Sequence, residues 1–502
     1  MCAVAFPTED LVSHRERTTP EAIALIDAET GEAWTYREYS RRVDRFAPAL
    51  AELGDRVGVL LDTRPAAATV FFAAMRTGTT LVPLSVRETA PELAAKARQT
   101  DLEAVICDHD TEEVALEVAD TVHSIDEPQD DRVDPLHRDG NGEQRTEPAL
   151  LEADDVHLIM FTSGTSGEPK AVPLTVGNLV ASATASAFRL GVDPDDQWLC
   201  CLPTYHMGGL APIVRSALYG TTVVIQREFD PEETARILTE YDVTGVSLVP
   251  TMVKRLLEAG WSPDDALRFV LLGGAPATED LIEACREAGV PVCPTYGMTE
   301  TASQIATTTP EEAVSSPGTV GSPLVGTEVT IVDQKGRALE AGETGEVVVS
   351  GPTVTPGYLD EEATKAAFDD GGLHTGDVGY RDEAGRLWVT GRLSDRIVTG
   401  GENVDPGEVS DVLCGHPDLE AATVVGLPDP EWGERVAALV VPEEDCPAVE
   451  DVLEHCDGQL AGFKRPKTIG FVEELPRTAS GTVDREAVRE RLDLEGRNVT
   501  NI

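Results

Sequence analysis

Short apolar runs alternate with stretches of helical periodicity through roughly the first 390 residues. The runs predict β-strands and the longer amphipathic stretches predict helices. Strands are predicted at 56–61, 81–84, 104–107, 157–161, 222–225 and 269–272, and helices at 65–77, 178–190 and 231–241. This alternation predicts an α/β fold whose parallel-type sheets are covered by helices on both faces.

The pattern changes near residue 319, where strands and turns become frequent. Strands predicted at 328–332, 346–350 and 386–390 indicate a small antiparallel element such as a β-barrel. The roughly 105 residues after Asp395 have strand and helix signals of their own and are long enough for a small α+β domain. The acidic stretch 108–155 is poor in aromatic residues and predicts a long surface excursion.

The charge balance is strongly acidic, with 40 Lys and Arg against 90 Asp and Glu and a net charge of −50. We therefore expect no nucleic-acid binding, because phosphate contacts need clustered basic side chains. Lysine occurs only at 96, 170, 254, 335, 365, 464 and 467. High acidity with scarce lysine predicts a halophilic setting, in which salt screens the repulsion between carboxylates; an ordinary acidic cytosolic protein is the alternative.

Compartment is predicted from three sequence features. The nine cysteines form no C-x-x-C pair and fit neither a zinc site nor a disulfide framework. Because most lie in apolar runs such as 199–202, we expect buried, reduced thiols and a cytoplasmic location. No apolar run reaches the roughly 18 to 20 residues of a membrane span, and residues 1–10 have no secretory pattern.

The strongest local motif directly follows the predicted strand 157–161. Its hydroxyls, glycines and lysine are suited to a phosphate, because glycine lets the backbone approach closely while the other groups donate hydrogen bonds or positive charge. It is not a Walker A loop, and a Ser/Gly-rich turn is the alternative interpretation. The candidate phosphate-binding residues are Thr162, Ser163, Gly164, Thr165, Ser166, Gly167 and Lys170.

Four further residues have a physical interpretation of their own. Glu300, beside a hydroxyl, is suited to hold Mg²⁺ together with substrate phosphates, or is a paired structural carboxylate. Asp377 in Thr-Gly-Asp can accept two ribose hydroxyls, or form an Asx turn. Arg392 can anchor ribose or phosphate, or pair with an acidic neighbour. His206, in a Gly-rich loop, can line an acyl pocket or be a satisfied structural histidine.

Six motifs in order resemble the adenylate-forming superfamily, which includes acyl-CoA synthetases, peptide-synthetase adenylation domains and luciferases. They lie at 162–170, 202–209, 273–276, 296–300, 375–377 and 391–395, and the resemblance covers about residues 20 to 490. It implies an N-terminal AMP-binding domain at 1–393, a mobile C-terminal domain at 396–502 and a hinge near Asp395.

The resemblance also assigns roles to residues outside the phosphate motif. It places Gly274, Ala275, Pro276, Tyr296, Gly297, Met298, Thr299, Asp377 and Arg392 at ATP or AMP, His206, Gly208 and Gly209 at the acyl group, and Gly400, Gly401 and Glu402 at CoA. It implies Mg²⁺ on Glu300, with ATP and CoA as co-substrates. The implied reaction has two steps: a carboxylate attacks ATP to give acyl-AMP, and CoA then displaces AMP after the hinge has rotated the small domain.

Two segments narrow the resemblance. Residues 296–305 and 394–403 are similar to o-succinylbenzoate–CoA ligases of menaquinone biosynthesis. Ser303 and Gln304 would then face the succinylbenzoate, or only form ordinary loop hydrogen bonds. A ligase for another aryl or acyl carboxylate is the alternative function.

One departure from the superfamily pattern bears on catalysis. The C-terminal motif, 475–485, has Thr482 where the family usually has the lysine that bridges substrate carboxylate and phosphate. Losing one such donor typically costs roughly 3 to 4 kcal/mol of transition-state stabilisation. A nearby cation can replace it, with Arg485 as the first candidate and Arg477, Lys464 and Lys467 as others. Otherwise adenylation relies on the phosphate loop, Mg²⁺ and arginines, or the chain binds adenylate or CoA without turnover.

Overall fold

The chain forms two compact units in a computed structural model that describes residues 8–136, 145–162, 169–400, 402–430, 432–443, 446–457, 459–477 and 483–498. The first unit comprises Met1–Val329, Val348–Leu373 and Gly385–Leu387, and the second comprises Thr330–Val347, His374–Ala384 and Trp388–Ile502. The units interleave along the chain, whereas the expected domain division is a single cut at 393–396. That boundary therefore stays a prediction.

Helices occupy much of the described chain. The α-helices are α1 (Leu11–Thr18), α2 (Tyr36–Leu50), α3 (Pro65–Thr77), α4 (Ala90–Gln99), α5 (Glu112–Val118), α6 (Val176–Leu190), α7 (Met207–Tyr219), α8 (Pro231–Glu240), α9 (Pro250–Glu258), α10 (Glu279–Glu287), α11 (Pro310–Ser315), α12 (Glu361–Ala367), α13 (Pro406–Cys414), α14 (Val449–Cys456) and α15 (Arg485–Glu495). Two 3-10 turns are η1 (Thr299–Thr301) and η2 (Leu393–Asp395). The prediction for α3 is confirmed at both ends, because Pro65 begins the helix and Gly78 ends it at φ +76°.

The first unit contains a large, mostly parallel sheet. Its strands are β1 (Ile23–Asp27), β2 (Ala33–Thr35), β10 (Gln197–Cys200), β11 (Thr222–Ile225), β12 (Gly245–Leu248), β13 (Phe269–Leu272), β14 (Val292–Met298), β15 (Ser303–Thr307) and β16 (Ser322–Pro323). Their order is β16-β15-β14-β13-β12-β10-β11-β1-β2. The pairs from β14 to β1 are parallel, and the outer pairs are antiparallel.

A second sheet of the same unit has seven strands. They are β3 (Arg56–Leu60), β4 (Thr80–Pro83), β5 (Ala104–Cys107), β6 (Val122–Ser124), β7 (Asp134–Pro135), β8 (Val156–Thr162) and β9 (Lys170–Thr175), in the order β7-β6-β5-β3-β4-β8-β9. All neighbours are parallel except the hairpin β8–β9. All four residues of β5 are buried, as expected for a strand covered on both faces. The predicted α/β class is confirmed by these two sheets.

A buried arginine of the first unit is paired with two carboxylates. Arg76 of α3 is only 2 % exposed. Its Nε donates to Asp10 at 3.0 Å and its Nη1 donates to Asp44 at 2.8 Å, while the hydroxyl of Ser40 accepts from Nη2 at 3.1 Å. Burial alone lowers the pKa of Arg76, but the two carboxylates raise it above its ordinary value. This network ties α1, α2 and α3 together.

Two smaller sheets follow. One has five strands, β17 (Glu328–Val332), β18 (Gly345–Ser350), β19 (Phe368–Asp369), β20 (Gly372–Arg381) and β21 (Leu387–Arg392), in the order β17-β18-β20-β19 with β21 also on β20. The other has β22 (Ile397–Thr399), β23 (Glu402–Val404), β24 (Leu419–Asp429), β25 (Gly433–Pro442), β26 (Thr468–Phe471) and β27 (Arg497–Asn498), in the order β23-β22-β25-β26-β27 with β24 on β25. Helices α13 and α14 pack on this sheet, which confirms a small α+β element.

The prediction of a surface excursion at 108–155 is wrong for its first part, where the chain forms regular secondary structure. This stretch contains α5, β6 and β7, and Val122 and Leu136 are buried. A few apolar side chains are enough to extend an existing parallel sheet, and the carboxylate of Glu112 satisfies backbone N–H groups of Gln129 and Asp130 at 2.9 and 2.7 Å. The acidic composition of this stretch obscured the sequence signals of one short helix and two short strands.

Most cysteines of the described ranges lie in the interior. Six cysteines are buried, namely Cys107, Cys200, Cys201, Cys285, Cys293 and Cys456, while Cys414 and Cys446 are exposed. The expectation that most cysteines are buried is therefore confirmed for the described residues. In the ranges given above, none of the helices has the length and apolarity needed to cross a bilayer.

Candidate functional site

Glu300 lies beside the beginning of the predicted phosphate motif. It follows β14 in the 3-10 turn η1 and is 9 % exposed. Its Oε1 accepts hydrogen bonds from the hydroxyls of Tyr358 at 3.0 Å and Thr162 at 3.5 Å. The turn thereby brings a carboxylate to the end of β8, where the predicted phosphate motif begins.

The predicted phosphate motif spans the turn of the β8–β9 hairpin. Thr162 and Lys170 are register partners in that hairpin, so the two ends of the motif lie side by side. The ammonium of Lys170 lies 4.9 Å from the centre of the Tyr358 ring. The predicted residues Ser163, Gly164, Thr165, Ser166 and Gly167 lie outside the described residues.

A strained turn places Glu300 and Ser303. Ala302 and Ser303 adopt φ +50° and +117°, a region in which non-glycine residues each cost roughly 1 to 3 kcal/mol. The carbonyl of Ala302 accepts from the hydroxyl of Ser182 at 2.7 Å, and a Cβ at Gly297 would overlap the carbonyl oxygen of Ser303. Glycine at 297 is therefore required where the chain doubles back, next to the predicted nucleotide residues Tyr296, Met298 and Thr299.

The predicted loop Gly274, Ala275 and Pro276 directly follows β13 and is exposed. Because β13 and β14 are parallel neighbours, this loop lies at the same edge of the sheet as Tyr296. The carboxyl ends of adjacent parallel strands are a common place for nucleotides to bind in α/β proteins. The two nucleotide motifs thus share one edge.

His206 caps the beginning of α7. Its backbone carbonyl accepts from the N–H groups of Gly209 and Leu210, both at 3.1 Å. Burial, and then the positive charges of Lys96 and Arg87, lower the pKa of His206 to about 4. The imidazole is therefore neutral near pH 7, and the predicted Gly208 is exposed beside it.

Arg215 was missed by the sequence motifs. It is 2 % exposed, its Nη2 donates to the side-chain oxygens of Gln304 at 2.8 Å and Ser303 at 3.2 Å, and its Nε has no partner among the described residues. Its guanidinium lies 5.1 Å from the centre of the Trp198 ring. Burial lowers the pKa of Arg215 to about 10.

A sequence signal for Arg215 does exist. It is the only charged residue of α7, Met207–Tyr219, which is otherwise almost entirely apolar. A buried cation needs a partner, because removing it from water is costly. In the described part of the chain no carboxylate pairs with it, although Ser303 and Gln304, both predicted to face the acyl substrate, hold one edge of it.

The other predicted residues lie in the second compact unit. Asp377 is 4 % exposed, and Arg392 Nε donates to its carboxylate at 2.8 Å. Asp395 in η2 forms an ion pair with Arg485 Nε at 3.3 Å. Burial lowers the pKa of Arg485, and Asp395 opposes that shift.

The predicted CoA residues lie at the beginning of the six-stranded sheet. Gly400 adopts φ +59°, and its N–H donates to the carbonyl of Trp432 at 2.8 Å. Glu402 begins β23 and is exposed. Gly401 and Thr482 lie outside the described residues, so the predicted replacement of the family lysine by Arg485 stays a prediction.

Comparison with known proteins defines the class. The AMP-binding enzyme model matches residues 12–359, and the AMP-binding enzyme C-terminal domain model matches residues 408–482. The chain therefore belongs to the AMP-binding enzyme family, which confirms the resemblance predicted from its motifs.

Individual relatives are similar over nearly the whole length. The 2-succinylbenzoate–CoA ligase of Bacillus pumilus (strain SAFR-032) is 37 % identical over 496 residues, covering 97 % of this chain and 98 % of the relative. Two structures of o-succinylbenzoate CoA synthetase (MenE) from Bacillus subtilis are also similar. The complex with the acyl-adenylate intermediate OSB-AMP has 33 % identity, TM-score 0.87 and coverage of 98 % and 99 % of the two chains. The complex with ATP and a magnesium ion has 34 % identity and a TM-score of 0.86, and the match covers 97 % of this chain and 99 % of that chain.

Proposed function

We propose that this chain is an ATP-dependent acid–CoA ligase. It converts 2-succinylbenzoate, ATP and CoA into succinylbenzoyl-CoA, AMP and pyrophosphate through an acyl-adenylate. Family membership supports the AMP-forming chemistry, and the full-length relatives named as 2-succinylbenzoate–CoA ligases support the substrate.

Arg215 is the observation that carries the substrate assignment. 2-Succinylbenzoate has two carboxylates, of which one reacts with ATP and the other stays charged. This guanidinium is 2 % exposed, and among the described residues its Nε has no partner and its Nη2 meets only neutral acceptors. It therefore offers the charge-assisted hydrogen bonds that the second carboxylate needs. A monocarboxylate would leave this cation without a counter-charge.

In the adenylation step a substrate carboxylate oxygen forms a bond to the α-phosphorus of ATP while the bond to pyrophosphate breaks. Lys170 and the hydroxyl of Thr162 lie at the two ends of the phosphate motif, where they can hold the phosphates. His206 is neutral, because burial lowers its pKa to about 4, and so lines the acyl site without adding charge.

Glu300 fits a magnesium site. In the described residues no group of three or more His, Cys, Asp or Glu side chains converges, and Glu300 offers a single carboxylate whose two hydrogen bonds both end on Oε1. Mg²⁺ usually takes one or two carboxylates and completes its shell with substrate phosphates and water. When bound, the ion neutralises phosphate charge.

The sequence motifs assign the residues that would bind the nucleoside of ATP and those that would bind CoA. Asp377 accepts the ribose hydroxyls, and Arg392, whose Nε holds that carboxylate at 2.8 Å, sets its orientation. In the second step the CoA thiolate attacks the acyl carbonyl and AMP leaves. Gly400, Gly401 and Glu402 line the CoA path, and Asp395 is the hinge for the movement between the steps.

Thr482 makes the adenylation step the one to test. Arg485 can supply the missing charge through its Nη groups while its Nε keeps the 3.3 Å ion pair with Asp395. If it does so, Arg485→Ala slows pyrophosphate release, whereas Thr482→Lys speeds release and makes Arg485 dispensable. Unchanged release in Arg485→Ala rules out Arg485 as the substitute and leaves the phosphate loop, magnesium and the other cations.

The setting is part of the proposal. The net charge of −50 and the seven lysines support a cytoplasmic enzyme of a halophilic cell, so assays belong in molar KCl. Pyrophosphate release and thioester formation across a panel of carboxylic acids test the function. Release with benzoates or fatty acids but not 2-succinylbenzoate contradicts the substrate. ATP binding without release from any acid favours an adenylate-binding protein without turnover.

A further inference from the structure

We infer that Tyr358 is a positioning residue for adenylation, whose hydroxyl fixes one oxygen of Glu300 while its ring supports Lys170. One side chain then orders both the carboxylate and the cation proposed to meet the nucleotide phosphates. The inference rests on the proposed function, because it gives Tyr358 a part in the same reaction. Tyr358 belongs to none of the motifs that predicted the site.

The backbone around Tyr358 is fixed to both elements that it serves. The N–H of Thr355 donates to the carbonyl of Glu300 at 2.7 Å, and the N–H of Leu359 donates to the carbonyl of Ala171 at 3.0 Å. The N–H of Tyr358 itself donates to the hydroxyl of Thr364 at 2.8 Å. The ring is therefore placed between η1 and β9 by main-chain hydrogen bonds.

The hydroxyl of Tyr358 acts on one particular atom. It donates to Oε1 of Glu300 at 3.0 Å, and Thr162 donates to the same atom at 3.5 Å. No hydrogen bond from the described residues ends on Oε2, which leaves that oxygen for an ion or a substrate. A hydrogen bond that holds the other oxygen of a metal-binding carboxylate fixes its orientation and raises metal affinity.

The ring of Tyr358 acts on Lys170. The ammonium lies 4.9 Å from the ring centre, within the range of a cation–π contact. Phe368 packs edge-on against the Tyr358 ring, with ring centres 6.3 Å apart. No carboxylate of the described residues forms an ion pair with Lys170, so its charge stays available for phosphate.

Hydroxyl and ring can be removed separately. Tyr358→Phe removes only the hydroxyl, so we expect the metal dissociation constant to rise about tenfold. The KM for ATP should then change less than about twofold, because the ring contact with Lys170 remains. Tyr358→Leu removes the ring as well, so its KM for ATP should rise by a further threefold or so.

The experiment measures metal binding directly as well as activity. Mn²⁺ is titrated by electron paramagnetic resonance into the full chain with a non-hydrolysable ATP analogue, and Mg²⁺ dependence of pyrophosphate release is measured in parallel. Tyr36→Phe is the matched control, since its buried hydroxyl donates to the carbonyls of Ser216 and Thr221, at 3.0 and 2.8 Å, and to no carboxylate of the described residues. It should leave both constants unchanged.

A double-mutant cycle decides whether Tyr358 acts through Glu300. In a Glu300→Gln background, Tyr358→Phe should change Mn²⁺ affinity less than about twofold. Equal effects in both backgrounds, or a lowered Tm with unchanged Mn²⁺ affinity, would overturn the inference. If the wild type releases no pyrophosphate from 2-succinylbenzoate, the proposed function fails while the Mn²⁺ titration still decides the role of Tyr358.

Discussion

Arg76 and Arg215 are two buried arginines of the same compact unit with opposite surroundings. Each is 2 % exposed and each is the only charged residue of an apolar helix. Arg76 is enclosed by the carboxylates of Asp10 and Asp44, which raise its pKa, whereas burial lowers the pKa of Arg215 to about 10.

The difference separates a structural charge from one kept for a ligand. The charge of Arg76 is neutralised when the protein folds, so it contributes to the fold. Within the part of the chain that the structure describes, the charge of Arg215 meets only the neutral oxygens of Ser303 and Gln304. A buried cation without a carboxylate is costly, and such a cost persists in functional sites when a ligand supplies the counter-charge.

The largest expected effect on stability comes from replacing the paired arginine, Arg76. Arg76→Met should lower the free energy of unfolding by about 3 to 5 kcal/mol, because Asp10 and Asp44 would stay buried without a cation. Urea denaturation in molar KCl measures this loss. A loss below about 1 kcal/mol would show that the network does not stabilise the fold.

A third buried basic side chain, His157, differs from both arginines because it can give up its proton. His157 of β8 is 3 % exposed, its Nε2 has no hydrogen-bond partner among the described residues, and burial lowers its pKa from 6.5 to about 4. Between pH 6.5 and about pH 4, therefore, the unfolded chain binds a proton at this histidine and the folded protein does not. The free energy of unfolding consequently falls as the pH drops through that window. The expected loss is about 3 kcal/mol between pH 7 and 4.

Denaturation midpoints measured across that pH range test the prediction for His157. In His157→Gln the part of the slope due to this residue should disappear. An identical slope in the variant and the wild type would contradict the assignment of the acid sensitivity to His157.

The smallest expected effect on stability belongs to Arg215. Arg215→Met should change the free energy of unfolding by less than about 1 kcal/mol or raise it, because it removes a buried charge that has no carboxylate partner. Arg76→Met is the matched control, with the same substitution at an equally buried arginine. A loss as large as that control's would make Arg215 a structural residue.

Much of the fold could be predicted because its signals are local. The strands at 104–107, 222–225 and 269–272 are reproduced without a shift, since each is a short apolar run. The first part of the stretch 108–155 was wrongly predicted, because its acidic composition obscured the few apolar residues that place α5, β6 and β7 in regular structure.

The candidate site was predictable only where motifs identify residues. Glu300 was found in this way, but its partner Tyr358 lies 58 residues away and is brought to it by tertiary structure. Arg76 and Arg215 give the same sequence signal, a lone arginine in an apolar helix. What distinguishes them is the carboxylates of Asp10 and Asp44, which come from other helices.

The most direct test of the account compares Arg215→Met with the wild type on 2-succinylbenzoate and on two analogues, 4-oxo-4-phenylbutanoate and 2-butanoylbenzoate, each lacking one carboxylate. The buried charge pair is worth roughly 2 to 5 kcal/mol, so kcat/KM for 2-succinylbenzoate should fall about 30- to 5,000-fold. For the analogue that still supports pyrophosphate release it should change less than about threefold. An equal fall for the dicarboxylate and that analogue would contradict the claim that Arg215 binds the second carboxylate.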